Sequence, residues 1–315
     1  MIKNYFKILR AGINTTYQDL GRKNLYHIGI PFSGAIDQRN FLIANKLVGN
    51  DYNLPVIEFA YQGPQLKYFG DEINISVTGD VKFILKKKKD LIDGICYKTF
   101  TLENEDEIDI LSTNKSVYGY LSVSGELDVK YQWSSCSTNK KANIGANDGK
   151  KLELNQKINI SKINENLSHK SLKYINTKIE NIRVLKATNF DYFSQKGKDT
   201  FFEKDFKVSK LSDRMGMRLE GPKIENIVDT NIKSEGLIKG VIQVPADGNP
   251  IIMLSDHGTI GGYPKIGVVI SADYDKLVQL TPGSKIKFKE VNLSSAETLF
   301  KLYDLETQNL ISQIQ

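Results

Sequence analysis

The twelve residues Asp256-His-Gly-Thr-Ile-Gly-Gly-Tyr-Pro-Lys-Ile-Gly267 carry four of the chain's 24 glycines, with a carboxylate at one end and a lysine near the other. Apolar runs flank them, Pro250-Ile-Ile-Met-Leu254 and Ile266-Gly-Val-Val-Ile270. Glycine permits backbone angles closed to other residues and lets a ligand reach the main chain. A polar loop between buried strands is where a rigid scaffold presents binding groups. The same pattern fits a glycine-rich hairpin without a ligand, and spacing alone leaves both readings open.

Three further segments concentrate polar side chains. In Asn14-Thr-Thr-Tyr-Gln-Asp-Leu-Gly-Arg22, Gln18, Asp19 and Arg22 are closely spaced, and Gly29-Ile-Pro-Phe-Ser-Gly-Ala-Ile-Asp37 follows. Ser33 and Gly34 could offer a hydroxyl and backbone N–H groups to an oxyanion. Alternatively, Asp19 and Arg22 pair with each other in a turn while Asp37 caps a helix. Ser212–Pro222 brings Arg214 and Arg218 into a chain whose usual cation is lysine. An arginine there suggests a planar, two-pronged contact with a carboxylate or phosphate, on a ligand or within the fold. Gly240–Pro250 reads as a strand ending in a turn, with Gln243 placed to face a ligand and Asp247-Gly248 as turn chemistry.

Several familiar signatures are missing. Gly145-Ala-Asn-Asp-Gly-Lys-Lys151 resembles a phosphate loop but is one residue short and lacks the final Ser or Thr. The sequence has no nucleophile elbow, no HExxH zinc motif, no dinucleotide fingerprint and no Met-Lys-Met biotin attachment site. Two cysteines without a CxxC, and three scattered histidines, give no expectation of a metal site or a disulfide framework.

The elements that would position these groups are mainly strands. Ile73, Ile75 and Val77 alternate with polar residues in Asp71–Thr78, which predicts a half-buried strand; Ser284–Glu290 does the same with three lysines on its wet face. Helices are predicted over Gln38–Val48, with Asp37 at its cap, over Ser271–Val278, and in an amphipathic stretch opened by a capping box at Ser294–Glu297. Lys86–Lys89 reads as an exposed hairpin tip, not a nucleic-acid patch. Leu154 to about Ile179 lacks strong periodicity and reads as the join between an N-terminal lobe, 1–175, and a C-terminal lobe, 176–315.

With 43 basic and 37 acidic residues, the formal charge of +6 is spread over many lysines. Such a balance weakly favours anionic partners, and a solvated lysine-rich surface accounts for it equally well. No apolar run approaches the roughly 20 residues that span a bilayer. Met1–Arg10 reads as a first strand, not a secretion signal, so a soluble cytoplasmic protein is expected.

In order, TTYQDLGR at 15–22, PFSGAIDQRNFLIANKLVGN at 31–50, EFAYQGPQL at 58–66, SDRMGMRLEGP at 212–222, VIQVPADGNPI at 241–251 and DHGTIGGYPKIGVVISAD at 256–273 resemble one family. It is the biotin-dependent carboxyltransferase-like family, also called allophanate hydrolase subunit 2, which includes the C-type subunit of the ATP-dependent 5-oxoprolinase and the regulator KipA. The family's loop reads closer to DRQTTGGYPRIG, so His257, Gly258, Ile260 and Lys265 depart from it. Residues 82–180 match poorly.

The resemblance implies a mainly β fold of cyclophilin-like barrel type, in two lobes with a few short helices and a cleft between the lobes. It implies a component of an ATP-dependent 5-oxoprolinase that opens 5-oxoproline to glutamate. The partners would be a subunit 1-like chain (the KipI-like, B-type component of 5-oxoprolinase) and a LamB-like, A-type component. The alternatives are a carboxyltransferase component acting on urea or a similar amide with a separate biotin carrier, and a KipA-like protein that binds a kinase inhibitor. ATP would be used by the complex, no cofactor would be bound covalently by this chain, and biotin would enter only the alternative reaction.

On this basis Gly261, Gly262 and Tyr263, with Lys265, are expected at the oxyanion or substrate carboxylate. Asp19, Asp37 and Asp256 are the candidate proton-shuttling carboxylates, and Arg214 is a candidate anion clamp. Gln18, Arg22, Ser33, Gly34 and Gln243 complete the expected substrate contacts. Lys265→Ala and Asp19→Asn are then expected to abolish turnover while sparing the thermal midpoint.

Overall fold

The computed structural model describes residues 4–88, 90–164, 167–174, 179 and 181–314. Two compact units are present. The first comprises Met1–Arg22, Ser33–Asn176 and Thr307–Gln315; the second comprises Lys23–Phe32 and Thr177–Glu306. Each is therefore discontinuous in sequence, which a single boundary near residue 175 does not capture.

In the first unit, seven strands form one sheet in the order Gly125–Leu127, Lys157–Ile163, Tyr5–Arg10, Gln65–Phe69, Glu107–Thr113, Val81–Lys87 and Asp90–Asp93. Five form another: Thr16–Gln18, Val56–Ala60, Tyr118–Val123, Ile73–Thr78 and Thr99–Leu102. Inward-facing Phe6, Phe59, Tyr68, Ile75, Phe83 and Ile108 belong to their shared core. The strand Ile73–Thr78 is buried on both faces, not one. Helix α1, Gln38–Leu47, covers the polar face, and the buried hydroxyls of Ser76 and Thr78 donate to the carbonyls of Ala44 and Asn40, each at 2.8 Å. Hydroxyls thus replace water on that face without leaving a polar group unpaired.

The supposed join at 154–179 contains the strand Lys157–Ile163, which pairs with Tyr5–Arg10 and with Gly125–Leu127. Only Ile158 and Ile160 among its side chains are buried, so the alternation is too short to stand out from the surrounding lysines and asparagines. Residues 165–166 and 175–178 of that stretch lie outside the described residues. Lys86 and Lys87 are in strand rather than turn, with Lys87 opposite Asp90; Lys89 lies outside the described residues.

The second unit is a closed barrel. Its strands run Asn181–Lys186, Lys265–Val269, Val241–Gln243, Ile251–Met253, Gly216–Glu220, Phe206–Val208 and Lys285–Glu290, and the last returns to pair in parallel with the first. Closure removes exposed sheet edges. Ile286 and Phe288 point inward while Lys285, Lys287 and Lys289 stay exposed, as their alternation predicts. Helix α2, Gln195–Glu203, brings Phe201 onto Phe288, with ring centroids 4.3 Å apart. Helix α3, Ser271–Leu277, follows the strand at Lys265. Helix α4, Leu293–Ser312, begins one residue before the predicted capping box. Asn292, not Ser294, is the cap, its Oδ1 accepting from the N–H of Ser295 at 2.8 Å.

Candidate functional site

In the first unit, Asp19 is fully buried and follows the short strand Thr16–Gln18. One carboxylate oxygen accepts from Gly21 N at 2.8 Å, Ser135 Oγ at 2.7 Å and Ser137 Oγ at 2.6 Å; the other accepts from Cys136 N at 2.8 Å. Arg22 Nη2 donates to the carbonyl of Ser137 at 2.6 Å. The run Ser135-Cys-Ser137 therefore wraps both side chains. Burial, and then the adjacent Asp19 carboxylate, push the Cys136 thiol well above its usual range, so it stays protonated and unreactive.

The wrapping loop takes an unusual path: Trp133, Ser134, Asn143, Asn147 and Asp148 all have positive φ. Gly145 has φ +97°, and a Cβ there would lie 2.0 Å from the Ser137 carbonyl oxygen and 2.7 Å from Arg22 Nη2. Gly145→Ala is expected to cost on the order of 2–4 kcal/mol, from overpacking added to backbone strain. Chemical denaturation reads the loss directly, and an unchanged midpoint would contradict this packing. The phosphate-loop resemblance ends here too: Ala146–Gly149 is a single turn leading to extended Lys150, with no helix N-terminus behind it to hold a phosphate.

Gln18, Ser33 and Gly34 lie in the same neighbourhood. Gln18 Nε2 donates to Thr16 Oγ1 and to the Thr138 carbonyl, both at 3.0 Å, and Asn139 Nδ2 donates to Ser33 Oγ at 3.0 Å. Gly34, at φ +82°, would place a Cβ 2.9 Å from the nitrogen of Gly21, so only glycine permits this approach to the Asp19 turn. Asp37 caps α1: its oxygens accept from Asn40 N at 3.0 Å and Asn40 Nδ2 at 2.7 Å. Its own N–H donates to Tyr120 Oη at 2.8 Å, and Tyr120 donates to Glu58 at 2.9 Å. Asp37 thus caps α1, as the alternative reading of the sequence expects.

In the second unit, Arg214 and Asp256 are both buried and bind each other two-pronged, Nε to Oδ2 at 2.9 Å and Nη2 to Oδ1 at 3.1 Å. The Asp256 N–H also donates to the Arg214 carbonyl at 2.9 Å. The expected anion clamp and the expected shuttle are thus hydrogen-bonded to each other. The two-pronged acceptor of Arg214 is Asp256, within the fold.

The glycine loop is held from several sides. Gln243 Nε2 donates to the Tyr263 carbonyl at 3.1 Å, so this amide orients the loop. Gly261 lies against that amide, where a Cβ would be 2.7 Å from Nε2. The Gly262 carbonyl accepts from Ile232 N at 2.9 Å, and Tyr263 is partly exposed. Lys265 is buried, its ammonium bonded to Glu235 and its N–H to Asn189 Oδ1 at 3.2 Å. The hydrogen bond from Lys265 holds the Glu235 carboxyl below its ordinary range. Lys265 is thus a neutralised cation that a competing anion could take from a partly exposed carboxylate.

His257, a departure from the family pattern, is 1% exposed. Its Nδ1 lies 2.6 Å from the Gly258 carbonyl, which can only accept, so Nδ1 carries the proton. Nε2, 2.8 Å from Tyr26 Oη, then accepts from the phenol. Burial, the largest effect, lowers the His257 pKa; the Gly258 contact and Asp256 oppose it, and Lys239 adds to it. A histidine held neutral in the fold is protonated more readily when unfolded. Stability of this unit should therefore fall as pH drops from the ordinary histidine value, ~6.5, toward the lower folded value. Thermal midpoints across that range check it, and His257→Gln should flatten the slope.

Tyr26, Glu235, Asn189 and the Ser135–Ser137 turn are not foreseen from the sequence. The last has a signal in the dense polar run Ser134-Ser-Cys-Ser-Thr-Asn139. Tyr26 lies between two matching segments and has none. Among the described residues no group of three or more His, Cys, Asp or Glu could hold a metal, and no helix is long and apolar enough to cross a membrane.

Residues 28–290 match the family described as carboxyltransferase domain, subdomain A and B. The chain belongs to that family. It is 32% identical to the C-type subunit of 5-oxoprolinase from Escherichia coli (strain K12) over 299 residues, covering 92% of each chain. The protein of the same name from Haemophilus influenzae is 31% identical over 293 residues, 93% of each chain. The crystal structure of the K. lactis urea amidolyase superposes with a TM-score of 0.89 at 26% identity, over 98% of this chain and 20% of that one. The mainly β, barrel-containing fold expected from the sequence is the fold of this family.

Proposed function

We propose that the chain is the C-type subunit of a 5-oxoprolinase, a multi-chain enzyme that uses ATP to open 5-oxoproline to glutamate. The observation that carries this reading is the similarity to two proteins named as C-type subunits of 5-oxoprolinase, across more than nine-tenths of both chains. The urea amidolyase likeness has comparable structural overlap but lower identity, and this chain spans only a fifth of that enzyme. The partners in this reading are a subunit 1-like chain and a LamB-like chain, and the compartment is the cytoplasm.

Opening a lactam needs a small polar amide held with its N–H and C=O aligned, and charge develops on the carbonyl oxygen. Preorganised donors or a cation aimed at that oxygen are often the largest catalytic contribution. Lys265 is our candidate for the cation, released from Glu235 toward the substrate oxygen or carboxylate. Gly261, Gly262 and Tyr263 form the loop that would sit over the substrate, oriented by Gln243.

Lys265→Ala should lower turnover by at least 100-fold. Solvent on the Glu235 side keeps the ion pair's share of stability below about 1 kcal/mol, so the thermal midpoint should move little. A variant that turns over normally removes Lys265 from the mechanism. The two reaction classes separate on biotin: glutamate release by the assembled chains should be indifferent to avidin, whereas carboxyl transfer from a biotin carrier would stop.

A further inference from the structure

His257 is sealed from solvent, and the side chain facing its Nε2 is Tyr26, which is half-buried and so reaches both the histidine and the outside. The Gly258 carbonyl fixes the proton on Nδ1, leaving Nε2 as a base aimed at the phenol. Burial holds this imidazole in its neutral form, against the pull of the adjacent Asp256 carboxylate. Asp256 is engaged by Arg214 through both oxygens, and Lys239, whose ammonium lies 4.2 Å from the centre of the Tyr274 ring, adds positive charge. Beside Tyr26 stands Phe32, with ring centroids 4.8 Å apart. A hydrogen bond serving only to pin residues 23–32 would not require a neutral imidazole with its basic nitrogen directed at a solvent-reaching hydroxyl.

We propose that Tyr26 and His257 form a proton relay that removes a proton from the amide nitrogen of the substrate, with Tyr26 as the catalytic residue and His257 acting through it. The inference rests on the amide-substrate reading above. As the substrate N–H bond breaks, Tyr26 Oη takes that proton and its own proton passes to His257 Nε2. The nitrogen keeps the bonding pair, and the negative charge spreads onto the amide oxygen. The imidazolium donates from both nitrogens, to the Gly258 carbonyl and to Tyr26, so no group is left unpaired. Running the steps backward returns the proton to nitrogen. A deprotonated amide is a far stronger nucleophile than a neutral one, which an activated electrophile requires.

In the assembled multi-chain enzyme, Tyr26→Phe and His257→Gln should each lower kcat by ~100-fold or more with a much smaller change in KM. The double variant should lose little beyond either single one, because both act in one relay. Wild-type kcat should fall on the acid side with a midpoint below the ordinary histidine value, and His257→Gln should abolish that limb. Tyr26→Phe with kcat within threefold of wild type, or an acid limb that survives His257→Gln, overturns the relay alone. A wild-type complex with no turnover of 5-oxoproline overturns the functional reading and the relay together. Nitrogen-15 spectroscopy of the histidines in the wild-type chain is independent of any variant's folding. A neutral Nδ1–H form of His257 at pH 7 supports the relay, and an imidazolium or an Nε2–H form overturns it.

Discussion

Asp19→Asn is expected to destabilise the first unit by about 3 kcal/mol or more, enough to lower its midpoint by roughly 6–12 °C. The carboxylate accepts from one serine hydroxyl at 2.7 Å, another at 2.6 Å, and two backbone N–H groups at 2.8 Å. An amide replaces one accepting oxygen by an NH2 group. If the NH2 faces Cys136 N, two buried donors confront each other; if it is flipped, three donors lose their acceptor. Either orientation leaves buried donors unsatisfied, which costs more than the bond itself is worth. Ser135→Ala, which leaves the carboxylate three donors but also removes the acceptor of the Ser137 N–H, should cost less, about 1–2 kcal/mol. This graded pair separates a folding hub from a proton shuttle. The resemblance-based expectation is lost turnover at constant stability; if that is what Asp19→Asn shows, the hub reading is wrong.

Arg214→Met is expected to cost about 3–5 kcal/mol, because it strands the Asp256 carboxylate in a buried site without its counter-charge. The two side chains are 5% and 6% exposed, so solvent cannot make up the loss. Arg214→Lys should fall between wild type and Arg214→Met, since a point charge reproduces the attraction but not the two parallel bonds. The double variant Arg214→Met/Asp256→Leu should recover much of the stability, as removing both charges also removes their desolvation cost. The same double variant changes the charge beside His257, so its histidine titration should shift as well. Equal loss in single and double variants would show that the pair is not what holds Leu254 to His257 against the bend at Arg214 and Met215.

The β-rich architecture was legible because alternation survives even in a lysine-rich sequence, as at Ser284–Glu290. Helix α1 was legible down to its Asp37 cap. Two features escaped for physical reasons. The strand Lys157–Ile163 buries just two side chains, too few for a periodic signal. The second hydrogen-bonding face of Ile73–Thr78 depends on α1 lying across it, and a strand's own residues do not encode what covers them.

For the candidate site, the right segments were legible, but the pairing of the groups within them was not. Asp19 and Arg22 are compactly spaced, yet both turn to Ser135–Ser137, more than a hundred residues away. Arg214 stood out for a two-pronged contact, and the carboxylate it meets is Asp256. Local composition marks where polar groups are concentrated. Long-range contacts decide which of them are satisfied and which remain available to a ligand. His257 illustrates the point from the other side: as a departure from the family's loop it stood out, while Tyr26, which gives it a task, did not.

The most direct test is ATP-dependent release of glutamate from 5-oxoproline by the three chains purified and mixed, with and without this one. Glutamate in step with ATP consumed is expected when all three are present, and none when this chain is omitted or given alone. A complete, folded mixture that releases no glutamate, or one that releases as much without this chain, would contradict the assignment.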